Sequence, residues 1–122
     1  MKDWNKVVEI PSVLKLDIQN TDEAAVVRCS GRVVHGYEAE SLQRTVLSLQ
    51  KKHIVIDLSQ VEEIDAAGLG VLAVLQRWAN DSNRTIRLLN PSQRLRQVLQ
   101  LTGLDVVLDV SGQSSRAFPR SA

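Results

Sequence analysis

The stretch HIVIDLSQVEEIDAAGLGVL, residues 53–72, decides the fold of this chain. It opens with an unbroken apolar run at 54–56, which is typical of a strand covered on both faces in an α/β sheet. Apolar residues then return at helical spacing, and Asp65 stands where a carboxylate accepts hydrogen bonds from the first-turn amides of a helix. The stretch therefore predicts a central strand at 53–59, an acidic loop at 60–64 and a capped helix after it.

Segments on both sides of this stretch repeat the same two patterns. Residues 13–19 alternate apolar and polar side chains and residues 24–30 follow a polar turn, so the two segments predict a β-hairpin. Asn90 followed by Pro91 predicts an N-cap and the first residue of a later helix, and Gly103 is placed to end that helix. The predicted strands are 13–19, 24–30, 53–59, 85–89 and a short 106–110, and the predicted helices begin near residues 37, 65 and 90.

This order of elements predicts an α/β fold. Consecutive strand–helix–strand units require parallel neighbours and right-handed crossovers, so the sheet is expected to be mixed, with helices over it. A length of 122 residues fits one domain, since independent domains cluster near about 100–150 residues. We expect an N-terminal extension at 1–12, the domain at 13–110 and a flexible C-terminal tail at 111–122, which is small and polar and contains proline.

Composition and charge exclude several classes of function. Apolar residues make up 43% of the chain and the net charge is +1, without a basic stripe that could neutralise phosphates, so no nucleic-acid partner is expected. No apolar run approaches the ~18 residues of a membrane helix, and the N-terminus lacks the apolar core of a signal peptide. We therefore expect a cytoplasmic protein without direct membrane insertion. Cys29, the single cysteine, is expected to be a small buried residue.

Catalytic machinery is not recognisable in the sequence. The two histidines have no third ligand at metal spacing, and the chain contains neither a phosphate-binding loop nor a nucleophile elbow. Asp57, Glu62, Glu63 and Asp65 form an acidic cluster that could be tested as paired carboxylates for acid–base work. Because Asp65 is used as a cap and the glutamates are expected to lie in a loop, a negatively charged rim is the simpler interpretation. We expect no catalytic residues, no metal and no cofactor.

The stretch at 53–72, followed by NPSQRLRQVLQLTGLDVVLDV at 90–110, resembles the STAS domain, the family of bacterial anti-sigma factor antagonists. Related domains belong to sulfate transporters and to a phospholipid transport system. The resemblance covers residues 13–110 and depends on two motifs, the strand that leads into DxxGLGVL and the helix of NPS…LxLTGL. It implies a mixed β-sheet of four to five strands with about three to four helices packed mainly on one side.

The resemblance also implies where a switch would be. In antagonists of this family a serine or threonine directly before the first glycine of the junction is phosphorylated by the anti-sigma factor, which is also a kinase, and phosphorylation breaks the complex. That position is Ala67 in this chain, and neither Ala66 nor Ala67 carries a hydroxyl. We therefore expect no phospho-acceptor at the family position, with regulation lost, carried by the partner or moved to another residue such as a tail serine.

The implied partner is an anti-sigma factor or a related kinase-like regulatory protein, and self-association is a further alternative. The expected contact residues are Gln60, Glu62, Glu63, Asp65, Ala66, Ala67, Gly68 and Gln76, the last on the exposed side of the second helix. A second set of charges could orient the partner, because complementary charge sets encounter rate and register; it comprises Arg84, Arg87, Arg94 and Arg96. The alternatives are an accessory subunit or scaffold of a membrane transport or signalling complex, and a domain that binds a nucleotide or another small ligand.

Overall fold

The chain folds into a six-stranded sheet that carries four helices, in a computed structural model that describes residues 4–10 and 14–111. The strands are β1 (Trp4–Ile10), β2 (Leu14–Asn20), β3 (Ala24–Val33), β4 (His53–Ile64), β5 (Thr85–Leu89) and β6 (Val110–Ser111). The helices are α1 (Tyr37–Leu49), α2 (Ala66–Asp81), α3 (Gln93–Thr102) and α4 (Leu104–Val107). The strands lie in sequence order, antiparallel from β1 to β3 and parallel from β3 to β6. The predicted mixed α/β sheet is confirmed.

The helices cover one face of the sheet. Along β2 the buried side chains Leu14, Leu16 and Ile18 alternate with more exposed ones, and β3, β5 and the first residues of β4 continue this alternation. Leu72 and Leu75 of α2 are buried in the same apolar core as these strand residues. Side chains on a strand point alternately to its two faces, so one face of each strand builds the core and the other stays open.

The open face corrects the prediction that the central strand is covered on both sides. Ile54 and Ile56 are buried in the core, but Val55 between them is only half-buried. In register, Val55 lies between Val26 of β3 and Arg87 of β5, on the face that the helices leave open. An apolar run of three residues does not distinguish the two cases, because a valine also suits a half-exposed position in a sheet.

The two ends of the sheet also differ from the sequence prediction. The predicted N-terminal extension contributes β1, which pairs with β2 along its full length, so the sheet has one strand more than the five predicted. Residues 106–110 were predicted as a strand, but Val106 and Val107 lie in α4 and β6 begins at Val110. Gly103 causes the difference: its left-handed conformation, with φ of 78°, turns the chain from α3 directly into another helical turn. The remaining predicted tail, 112–122, lies outside the described residues.

Local signals at the helix ends are mostly correct. Asp65 caps α2 and Gly103 ends α3, as predicted. The predicted cap of α3 is wrong by two residues, since the Leu95 N–H donates to Ser92 Oγ (3.1 Å) and Asn90 adopts a left-handed conformation before the helix. Within the described residues, no helix is long and apolar enough to cross a membrane.

Candidate partner-binding site

The site forms where β3 and β4 extend beyond the end of β5 and continue to pair with each other. Their parallel pairing continues through two register shifts to its last pair, Val33 with Ile64. The acidic loop predicted at 60–64 is therefore wrong: these residues are the last part of β4, because β3 supplies hydrogen-bonding partners that the sequence alone does not reveal. This paired extension brings the start of α2 next to the connection between β3 and α1.

The Asp65 carboxylate joins these two segments. The Gly68 N–H donates to Oδ1 (3.0 Å) and the His35 N–H donates to Oδ2 (2.9 Å), so one side chain caps α2 and holds the β3–α1 connection. Burial acts to raise the pKa of Asp65, but the hydrogen bonds from backbone amides, first Gly68 and then His35, prevail and lower it below its usual value. The carboxylate is therefore ionised at neutral pH and its oxygens are occupied by amides.

Gly68 allows α2 to begin directly against the ends of the two strands. A Cβ at this position would lie 2.3 Å from the Val33 carbonyl oxygen and 2.6 Å from Ile64 Cγ1. Such approaches are sterically forbidden and one of the two atoms is backbone, so only glycine fits without a shift of the helix. Close packing at Gly68 fixes the direction in which the preceding alanines point.

Ala66 and Ala67 form a small, uncharged first turn. Ala66 is exposed, while Ala67 is half-buried and packs against the hydrophobic core. Further along the same side of α2 lie Gly70, Val74 and Arg77, spaced about one helical turn apart. A Cβ at Gly70 would meet no atom within 4 Å, and Val74 is 48% exposed, unusually open for a valine. We call these five residues the α2 surface.

Gln76 does not belong to the α2 surface, so its predicted position on the exposed side of the helix is wrong. Its residue surface is only 7% exposed, and its Oε1 accepts a hydrogen bond from the Asp109 N–H (3.2 Å) while its Nε2 donates to Asn80 Oδ1 (3.4 Å). A buried amide that satisfies a distant backbone group has a structural role. The sequence prediction did not include Gly70, Val74 and Arg77, although their helical spacing from Ala66 indicates that they lie on the same side of α2.

The acidic cluster divides between two places. Gln60, Glu62 and Glu63 are exposed on β4, and Glu63 pairs with Arg32 of β3 (Oε1 to Nε 3.1 Å). Asp57 points to the open face of the sheet, where its carboxylate lies 3.2 Å from Arg28 Nε and accepts from the Ser59 N–H. Burial opposes ionisation of Asp57, but these hydrogen bonds and the Arg28 charge lower its pKa. Glu62 and Glu63 thus lie at the end of β4 that leads into α2, whereas Asp57 is paired with Arg28 earlier in the strand.

The four predicted basic residues do not form one patch. The Arg84 guanidinium lies 4.8 Å from the Trp78 ring centroid and also donates to Gln50 Oε1 (2.9 Å). Arg87 faces the open side of the sheet, with its Nε 3.8 Å from Asp109 Oδ2. Arg94, on α3, lines a groove together with Glu62 of β4, and Arg96 on the same helix is not among the residues that line it.

This groove is the cavity beside the candidate site, and its size limits what it can bind. It lies between the end of β4 and α3 and has a volume of about 200 Å³. Sites that enclose drug-sized ligands have volumes of about 300–1,000 Å³, so the groove is small for a nucleotide. Among the described residues, no group of three or more histidine, cysteine, aspartate or glutamate side chains is arranged to hold a metal ion.

Relatives of known sequence support the resemblance noted above. The family model described as "Mlab, STAS domain" matches residues 16–110. The anti-sigma-B factor antagonist of Bacillus subtilis (strain 168) is 26% identical over 103 residues, which amount to 83% of this chain and 94% of that protein.

Solved structures show the same fold. An anti-sigma factor antagonist from Mycobacterium paratuberculosis gives a TM-score of 0.68 at 24% identity, covering 84% of this chain and 89% of that chain. The anti-sigma factor antagonist SpoIIAA in its unphosphorylated form gives a TM-score of 0.64 at 20% identity, covering 93% and 92% of the two chains. The matched residues run from β2 to the start of β6 and include all four helices, and the chain belongs to the STAS domain family.

Proposed function

We propose that this chain is a non-enzymatic interaction domain that binds an anti-sigma factor or a related kinase-like regulatory protein through the α2 surface and the acidic end of β4. The proposed contacts keep the predicted residues Gln60, Glu62, Glu63 and Asp65 to Gly68 and replace Gln76 by Gly70, Val74 and Arg77. Asp65 and Gly68 act by fixing the first turn, and the exposed side chains meet the partner. Such a protein would act in the cytoplasm, where sigma factors direct transcription.

The observation that carries the proposal is the small neutral first turn at Ala66 and Ala67. These alanines lie beside the ionised Asp65 and the exposed glutamates of β4. A phosphate at position 67 would add roughly −1.5 to −2 charges to this negative region, and repulsion together with desolvation would expel a closely fitting partner. Alanine keeps the surface in the uncharged form, so the protein would remain competent to bind.

Position 67 also lacks the means to act as a switch. A switch that changes the ratio of bound to unbound protein from 1:99 to 99:1 must supply about 5.5 kcal/mol of differential free energy between the bound and unbound states. A phosphoryl group can supply free energy of this kind by charge repulsion, whereas the methyl groups of Ala66 and Ala67 cannot accept one. Any regulation of the complex would then come from the partner or from another residue of this chain.

Affinity measurements with purified proteins test the proposal. The wild type, Ala67→Glu and a control, Ala24→Glu, are titrated against each anti-sigma-type kinase encoded in the same genome. Ala24 is the first residue of β3 and lies at the opposite end of that strand from Val33, far from the site. It is half-buried, as Ala67 is, so Ala24→Glu adds the same charge to a similar environment. We expect Ala67→Glu to abolish binding and Ala24→Glu to retain it; unchanged binding by Ala67→Glu would show that the proposed surface is wrong.

A second candidate is an accessory STAS subunit of a membrane transport complex that docks on a cytoplasmic ATPase through the same surface. The STAS domains that this chain resembles include those of sulfate transporters and of a phospholipid transport system, so the same fold and surface would serve this candidate. The same three proteins can be titrated against transporter ATPases from the same genome. Binding to an ATPase that Ala67→Glu abolishes, without binding to any anti-sigma-type kinase, would favour the second candidate over the first.

A further inference from the structure

The groove between β4 and α3 has an apolar interior and charged edges. Of the apolar residues that line it, Val61 and Leu95 are buried, and Ile64 and Val98 are half-buried. Glu62 lines it from β4 and Arg94 lines it from α3, and both residues are exposed. Half-buried aliphatic side chains around a recess leave apolar surface in water, which a partner's apolar side chain could cover.

The groove is continuous with the first turn of α2. Ile64 lines the groove, and its Cγ1 is also one of the atoms that a Cβ at position 68 would strike, at 2.6 Å. The same side chain therefore packs against Gly68 and forms part of the groove. A partner seated on Ala66 and Ala67 would have the groove beside it, so both features belong to one contiguous surface.

The charges at the edges are available to a partner. Glu63, which also lines the groove, is already paired with Arg32 across the β3–β4 ladder. Glu62 and Arg94, in contrast, have no ion pair with any other described residue. Within the described part of the chain, Glu62 and Arg94 thus present a negative and a positive charge on separate elements, which favours a partner with a basic residue beside Glu62 and an acidic residue beside Arg94.

We propose that the groove receives one apolar side chain from a helix of the regulatory partner, with a basic residue of that helix beside Glu62 and an acidic residue beside Arg94. This inference rests on the proposed function, since the same partner would cover the α2 surface. A volume of about 200 Å³ suits a single anchoring side chain better than a nucleotide. An amphipathic helix presents such an anchor with charged residues on either side of it.

Blocking the groove tests the anchor directly. Val98→Trp would fill the recess from its side, whereas Gln100→Trp places the same bulk on the opposite, exposed side of α3. The probe is the anti-sigma-type kinase that the wild type binds, and the readout is its dissociation constant. We expect Val98→Trp to weaken binding roughly 30-fold or more, the size of a hot-spot loss, and Gln100→Trp to change it less than about twofold.

Charge reversals provide a second test that does not depend on how Val98→Trp folds. Glu62→Arg and Arg94→Glu should each slow association, and the difference from wild type should shrink at high salt, because rim charges act mainly on the encounter step. Asp105→Arg, which changes an exposed acid on α4, is the matched control and should leave the association rate unchanged.

The outcomes separate this inference from the proposed function. If Ala67→Glu abolishes binding but Val98→Trp, Glu62→Arg and Arg94→Glu all bind as the wild type does, the groove is not part of the interface and only the inference fails. If no anti-sigma-type kinase binds the wild type, both fail together. Loss of binding by the groove variants, with retention by Gln100→Trp and Asp105→Arg, supports the anchor.

Discussion

Two glycines of α2 should respond in opposite directions to the same substitution by alanine. Gly68→Ala places a Cβ 2.3 Å from the Val33 carbonyl oxygen and 2.6 Å from Ile64 Cγ1. Overpacking of this kind costs about 1–3 kcal/mol, or more where backbone must move. The gain in helix propensity of about 0.5–1 kcal/mol offsets only part of that cost, so we expect a net destabilisation of roughly 1–2 kcal/mol.

Gly70→Ala makes the same chemical change two residues later without the steric conflict. A Cβ at Gly70 meets no atom within 4 Å. Only the propensity gain remains, so the variant should be about 0.5–1 kcal/mol more stable than the wild type.

Thermal unfolding followed by circular dichroism measures both variants under identical conditions. For a domain of this size each kcal/mol shifts Tm by about 4 °C or more, so the two variants should differ by roughly 6 °C or more, with Gly68→Ala the lower. If Gly68→Ala unfolds at the wild-type temperature, α2 does not begin against the Val33 carbonyl. The close approach that fixes the first turn would then be refuted.

Three further predictions concern individual side chains. Asp65→Ala should lower the free energy of unfolding, measured in urea at pH 7, by about 0.5–2 kcal/mol. Because folding lowers the pKa of Asp65, the difference between wild type and variant should persist above about pH 5. It should vanish as the pH falls from ~3.9, the ordinary pKa of an aspartate, through the lower pKa of the folded protein. Gln76→Leu should lower the free energy of unfolding, measured in urea, by about 1–3 kcal/mol, because the Asp109 N–H loses its acceptor. A variant as stable as the wild type would show that the buried Gln76 side chain has no structural role. The Cys29 thiol, whose pKa burial raises to about 12, should resist Ellman's reagent in the native protein and react at once in denaturant.

Features encoded by neighbouring residues were predictable from the sequence. The cap at Asp65 and the terminator at Gly103 depend on hydrogen bonds or backbone conformations within a few residues, and both lie where the sequence indicates. The burial of Cys29 follows from its place in an apolar alternation, which the structure confirms. Local chemistry therefore determined the junction at which the candidate site forms.

Features that depend on distant segments were not predictable in the same way. Gln76 looks like an exposed polar residue until the Asp109 N–H, 33 residues later, is found against it. The end of β4 looks like an acidic loop because its partner strand β3 lies about thirty residues earlier. The groove combines the end of β4 with Arg94, Leu95 and Val98 of α3, so no single stretch of sequence contains it. Tertiary pairing overrides local propensity in each of these cases.

The central claim is that position 67 keeps the surface permanently competent to bind. The most direct test adds ATP and Mg²⁺ to the complexes of the anti-sigma-type kinase with the wild type and with Ala67→Ser, while dissociation and intact mass are followed. We predict that the wild-type complex persists without a mass change, and that Ala67→Ser gains one phosphate and dissociates. A phosphorylated Ala67→Ser that stays bound, or a wild-type complex that ATP dissociates to the same extent as the Ala67→Ser complex, would contradict the account.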